Sequence, residues 1–90
     1  MTVTAGSEAD FEAAMVQARP LVEASPGCLG LQVRRGIERP QSYLLTIGWD
    51  SLADHLEGFR GSPAFARWRE LLSPFYAEPA VVEHWEPTAT

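Results

Sequence analysis

The stretch CLGLQVRRGIERPQSYLLTIGW, residues 28–49, decides the fold, because it contains two strand patterns joined by one turn. Residues 28–35 alternate with a period of two, which is the period of a strand with one covered face. Leu29, Leu31 and Val33 are predicted to share the covered face. This segment is therefore the first clear strand.

The second strand pattern covers residues 42–49, after a turn in which Pro40 blocks continuation of the first strand. One face is apolar throughout, and Leu44 adds an apolar side chain to the other face. Such a strand is typical of a sheet that is covered on both sides. The predicted faces are Tyr43, Leu45, Ile47 and Trp49 on one side, and Leu44, Thr46 and Gly48 on the other.

A helix is predicted on each side of this pair of strands. The first covers residues 7–24, with Ser7 as its N-cap and an apolar stripe at helical spacing. After a short helix from Ser51 to about Gly58, the second begins at Pro63 behind the cap Ser62. The stripes are Phe11, Met15, Ala18 and Val22 in the first helix, and Phe65, Trp68, Leu72 and Phe75 in the second.

The ends of the chain complete the pattern. Residues 80–86, AVVEHWE, predict a last strand, and residues 1–4 predict a short first strand. The order β-α-β-β-α-β predicts an α+β, ferredoxin-like protomer with a four-stranded antiparallel sheet and both helices on one face. We expect one domain over residues 1–90, with a structured core at about 7–86 and a frayed tail at 87–90.

Composition excludes several classes of protein. The net charge of −5 opposes binding to nucleic acid and to anionic membranes, which both require a basic surface. Cys28 is the single cysteine, so neither an internal disulfide nor a cysteine-rich metal site is expected. The start of the chain lacks a basic region followed by an apolar segment, so we expect a cytoplasmic protein.

The sheet face away from the helices predicts a partner. It carries apolar and uncharged side chains from both strands, and large exposed apolar patches usually mark interfaces. A second copy of the same sheet is the simplest cover. We therefore expect a homodimer through this face.

Several motifs resemble the antibiotic biosynthesis monooxygenase family of dimeric α/β-barrel proteins. They are SPGCLG, GWDS, GFRGSPAFARWRELL and VVEHWE, and the resemblance extends from about Ser7 to Glu86. It implies a ferredoxin-like protomer, a back-to-back sheet dimer, and a pocket between the sheet and the helices of each protomer. Members usually open with a full edge strand, whereas only MTVT precedes the first helix here.

The family includes monooxygenases that use no cofactor, and the resemblance implies this activity for an aromatic or quinol-like metabolite. Such an enzyme needs a dry apolar cavity and a base for the substrate. His55 is the candidate catalytic base, because an imidazole titrates near neutrality. Arg60 or Arg34 would pair with a developing phenolate. The candidate substrate-binding residues are Trp49, Phe59, Arg60, Phe65, Trp68 and Tyr76.

Structural roles also explain the same residues. The rings on the second helix form an ordinary core stripe, and His55 has the spacing of a boundary residue between Leu52 and Phe59. His84 belongs either to the dimer face or to a site. The alternative function is therefore a non-catalytic dimeric barrel that binds a small apolar ligand or acts as an accessory subunit.

Metal and haem chemistry are not expected. The chain has two histidines and no pair at metal-ligand spacing, so we predict no metal and no cofactor. The haem-degrading branch of the family uses an Asn, a Trp and a His. This chain contains no Asn, and Phe59 and Arg69 stand at the Trp and His positions.

Overall fold

The computed structural model describes residues 1–90 as an α+β chain. The elements, in chain order, are helix α1 (Glu8–Glu23), strands β1 (Cys28–Arg35) and β2 (Tyr43–Trp49), a π-helical segment (Asp54–Phe59), helix α2 (Pro63–Leu72) and a 3₁₀ turn (Ser73–Phe75). The helices α1 and α2 pack against each other, and α1 also packs on β1. No helix is both long enough and apolar enough to span a bilayer.

Helix α1 buries the stripe that its sequence predicts. Phe11, Met15, Ala18 and Val22 are its buried residues, at the spacing that places them on one face. Pro20 lies within the helix, which continues to Glu23. Ser7 occupies the N-cap position, but its hydroxyl makes no capping hydrogen bond. Packing on the core, and not the cap, therefore stabilises this helix.

Strands β1 and β2 pair antiparallel as predicted. Leu31 lies opposite Ile47 and Val33 opposite Leu45, on the face that the helices cover. A bulge between Cys28 and Gly30 interrupts this register.

Because of the bulge, the prediction that Leu29 lies on the covered face is wrong. A Cβ atom added to Gly48 would lie 3.2 Å from the Leu29 Cβ, so the two residues share one face of the sheet. On this face 68% of Leu29 is exposed. A bulge shifts the side-chain alternation by one residue, so Leu29 lies on the open face and not with Leu31 and Val33.

The outer strands of the predicted four-stranded sheet are reduced to single bridges. Thr2 bridges Ser42 beside β2, and Val3 bridges Tyr76. The predicted strand at 80–86 is wrong, since no residue after Tyr76 pairs in a sheet. Residues 77–90, here named the C-terminal arm, make a last backbone bond where the Ala77 N–H donates to the Thr2 carbonyl. The arm carries exposed apolar side chains, including Val81 and Trp85.

A polar cluster ties α1 to the sheet at the edge of the core. The Tyr43 hydroxyl donates to Glu12 Oε2 over 2.6 Å, and Arg35 lies 3.8 Å from the same carboxylate. The Tyr43 ring also contacts the fully buried Phe11. Burial first, and then the hydrogen bond to Glu12, raises the pKa of Tyr43 to about 12. The phenol therefore stays a donor across the physiological pH range.

Helix α2 begins as its sequence predicts. The Ser62 hydroxyl accepts a hydrogen bond from the Phe65 N–H, and Pro63 takes the first helical position, where no donor is required. Trp68 and Leu72 are buried, whereas Phe65 and Phe75 are half-buried. The short helix predicted from Ser51 is mostly π-helical, a form that frequently occurs at functional sites.

Candidate active site

The candidate site lies where β2 ends and the π-helical segment begins. Trp49 is the last residue of β2, and His55 follows one turn later. Ser51 accepts a hydrogen bond from the Asp54 N–H and donates its own hydroxyl to the Asp54 carboxylate. These reciprocal bonds lie at the start of the segment, and the His55 ring lies against Trp49.

Five of the predicted site residues form one continuous run of rings. His55 stacks on Trp49, with centroids 5.3 Å apart and planes inclined by 16°. Trp49 contacts Phe59 at 5.8 Å, and Phe59 meets Phe65 and Trp68 edge-on. Trp49 and His55 are half-buried, whereas Phe59 and Trp68 belong to the core. The accessible end of the run is therefore Trp49 and His55.

The surroundings of His55 favour its neutral form. Burial lowers the pKa of His55 below its usual value of 6.5, and the nearby charges of His84 and Arg60 lower it further. A neutral imidazole is the form that can accept a proton. At pH 7 this side chain is thus able to act as a base.

The remaining predicted site residues are placed less closely together. Arg60 is exposed, and its guanidinium lies 5.9 Å from the Phe65 ring, as does that of Arg69. Tyr76 makes no ring contact with the run; it pairs with Val3, and burial raises its pKa. Arg34 contacts Gln32 on the open sheet face, opposite the rings, so it does not join this site.

The two main hollows on the surface do not touch His55, Phe59 or Trp68. One, of about 410 Å³, lies on the open sheet face. The other, of about 340 Å³, lies near the turn between the strands and is lined by Thr2 and residues 38–42. The first is lined by Leu29, Gly30, Leu31, Gln32, Thr46 and Gly48. Phe59 and Trp68 instead pack directly on each other.

Two further observations bear on the chemistry of the site. No group of three or more His, Cys, Asp or Glu side chains is arranged to hold a metal ion. His84, on the C-terminal arm, places its Nε2 2.9 Å from His55 Nδ1. Sequence reasoning did not pair these histidines, because they lie 29 residues apart and His84 was assigned to a strand. The chain has two histidines, and this is the single sequence signal that could have suggested their pairing.

The fold and site define a class: a small ferredoxin-like α+β protein with a run of aromatic rings and one neutral histidine. The sequence profile of the antibiotic biosynthesis monooxygenase family matches residues 1–71. The chain therefore belongs to the antibiotic biosynthesis monooxygenase family.

Known relatives agree with this assignment. The uncharacterised protein YczJ of Bacillus subtilis is 38% identical over 81 residues, covering 90% of this chain and 85% of YczJ. A crystal structure from Bordetella bronchiseptica, provisionally named an antibiotic biosynthesis monooxygenase, is 42% identical with a TM-score of 0.94. The match covers 98% of this chain and 90% of the Bordetella chain, so it includes nearly all of the C-terminal arm.

A more distant structure shares the fold alone. Rv0793 from Mycobacterium tuberculosis is 17% identical with a TM-score of 0.80, over 99% of this chain and 89% of its own. The ferredoxin-like architecture therefore persists where most side chains differ.

Proposed function

We propose that this protein is a cofactor-independent monooxygenase that oxidises a small aromatic or quinol-like metabolite with O₂. His55 is the proposed catalytic base, and Trp49 is the surface on which the substrate ring stacks. The observation that carries the proposal is the half-buried His55, stacked on Trp49 and kept neutral by its surroundings. Membership of the family supports the same reaction class.

The proposed chemistry begins with a proton transfer. His55 removes a proton from the activated carbon or hydroxyl of the substrate, and the resulting anion is electron-rich enough to reduce O₂ directly. For an anthrone-like CH₂ group, one oxygen atom becomes the new carbonyl and the other leaves as water. Arg60, at the edge of the ring run, is proposed to stabilise the phenolate. Phe59, Phe65 and Trp68 are proposed to form the apolar wall behind the substrate.

Oxygen uptake with a panel of hydroquinones and anthrones tests this proposal. Replacing His55 with alanine should reduce substrate-dependent uptake by about 100- to 10,000-fold, which is the usual contribution of general-base catalysis. Uptake by the parent protein should fall as the pH is lowered through the pKa of His55, which lies below 6.5.

Leu56→Ala is the matched control, since Leu56 follows His55 in the same segment and is 40% exposed. It should retain the parent rate, and circular dichroism should show both variants folded. Equal uptake by the parent and His55→Ala would remove His55 from the reaction.

The packing of the rings favours one alternative, a non-catalytic barrel that binds a small apolar ligand or serves as an accessory subunit. Phe59 and Trp68 fill the space between sheet and helix, and the two hollows lie elsewhere. Binding of the same aromatic compounds without any oxygen uptake would favour this alternative.

We also propose that the protein is a homodimer through the open face of the sheet. This face has exposed Leu29 and Leu44 beside a hollow lined by the Gly30–Gly48 pair. Burying apolar area contributes roughly 25 cal/mol per Å², so two such faces stabilise each other when they meet. A two-fold interface uses the same patch on both copies.

A charged side chain on this face should break the dimer. Leu44→Arg should shift the solution mass, measured by light scattering at micromolar concentration, from two chains to one, because it buries an unpaired charge. Val16→Arg is the control, since Val16 is 72% exposed on helix α1. A parent protein with the mass of one chain would contradict the proposed dimer.

A further inference from the structure

We infer that His84 is a positioning residue for His55: it accepts a hydrogen bond from His55 Nδ1–H and so leaves His55 Nε2 as the free, proton-accepting nitrogen. This inference rests on the proposed function for its catalytic consequence. The tautomer that it assigns to His55 is a property of the protein alone.

The His55 ring is held from two directions. His55 Nδ1 and His84 Nε2 lie 2.9 Å apart, a hydrogen-bond distance, with ring centroids separated by 5.0 Å. One face of His55 stacks on Trp49, with an inclination of 16° between the planes. The stack restricts tilting of the ring, and the hydrogen bond restricts its rotation. The two contacts together leave Nε2 as the nitrogen without a protein partner.

The C-terminal arm depends on this contact for its position. Between residue 79 and the end of the chain, the His84–His55 bond is the one hydrogen bond from the arm to the rest of the protein. Before it, Glu78 accepts from the Thr2 hydroxyl. The C-terminal arm makes no strand pairing after Tyr76, and the His84 side chain connects it to the candidate site at His55.

The direction of the hydrogen bond decides whether His55 can act as a base. A neutral imidazole carries one N–H, and the bond made by one nitrogen sets the state of the other. If His55 Nδ1–H donates, Nε2 keeps its lone pair and can accept a proton from a substrate. The opposite direction places the proton on Nε2 and removes the base.

The assigned direction also suits the protonated state. When a proton arrives at Nε2, the Nδ1–H remains a donor to His84 and the contact persists. Burial and the nearby charge of Arg60 both oppose a positive charge on His55. The protonated ring therefore returns its proton readily.

Nitrogen NMR of the imidazoles tests this inference, because the chain has two histidines and each single variant leaves one signal set. In the parent, His55 should be the Nδ1–H tautomer. In His84→Ala it should shift toward the Nε2–H form that free imidazole prefers. His84→Gln, whose carbonyl oxygen can accept the bond, should restore the Nδ1–H form. Val81→Ala, on the same arm and 81% exposed, should leave the parent tautomer unchanged.

The rate of oxygen uptake provides the catalytic readout. We expect His84→Ala to lower kcat about tenfold, less than the loss of the base itself, with partial recovery in His84→Gln. An unchanged His55 tautomer in His84→Ala, or an Nε2–H tautomer in the parent, would overturn the inference. If the tautomers change as expected but the parent consumes no oxygen, the proposed oxidation fails and the assigned tautomer stands.

Discussion

Replacing Phe11 with alanine should lower the free energy of unfolding by about 3–5 kcal/mol, the range for a fully buried phenylalanine. The side chain has no exposed surface, and its ring lies 4.7 Å from that of Tyr43. Truncation removes this contact and leaves a cavity between α1 and the sheet. A 90-residue domain buries a thin core, and its total stability is only about 5–15 kcal/mol. We therefore expect the variant to be partly unfolded near 37 °C.

Urea unfolding followed by tryptophan fluorescence measures this effect. Val16→Ala provides the control on the same helix, because Val16 is 72% exposed and its truncation should change stability by less than about 0.5 kcal/mol. Similar losses in both variants would mean that Phe11 is not at the centre of the core.

Replacing Gly27 with alanine should destabilise the protein by more than about 2 kcal/mol, for two separate reasons. Gly27 has φ +82°, a conformation that costs a residue with a Cβ about 1–2 kcal/mol. A Cβ at this position would also overlap the carboxylate of Asp54, which must then move. Asp54 is the first residue of the π-helical segment that carries His55, so its displacement reaches the candidate site. Oxygen uptake should therefore fall together with stability.

Gly6→Ala separates the two reasons. Gly6 has φ +87°, and a Cβ there would meet no atom within 4 Å, so this variant measures the backbone cost alone. The excess loss in Gly27→Ala over Gly6→Ala is the cost of displacing Asp54. Adding Asp54→Ala to Gly27→Ala should recover part of that excess. Equal losses at both glycines would show that the contact with Asp54 costs nothing.

The helix boundaries and the positions of the two central strands were predictable from the sequence, because each depends on near neighbours. The stripe from Phe11 to Val22 identifies the buried face of α1 through its spacing alone. The Ser62–Pro63 pair marks the start of α2 for a local reason, a hydroxyl acceptor followed by a residue without an N–H.

The structure brings only some of the predicted site residues together. Trp49, His55 and Phe59 lie close together in the chain, so one turn is enough to bring their rings into contact. Tyr76, by contrast, was predicted to bind substrate because it is aromatic. In the structure it lies beside Val3 in the sheet. The partner of His55 was missed, since no local pattern relates it to His84.

By itself, the sequence determined the two helices, the central pair of strands and the aromatic character of the site, because periodicity and capping act within a few residues. Tertiary structure alone decided that the bulge turns Leu29 to the open face, that the apolar segment 80–86 remains outside the sheet, and that His84 reaches His55. The physical reason is that strand pairing and side-chain contacts depend on which distant backbone and side-chain groups are left unpaired. Which of these groups pair depends on the whole chain, so no single stretch of sequence shows a pattern that predicts it.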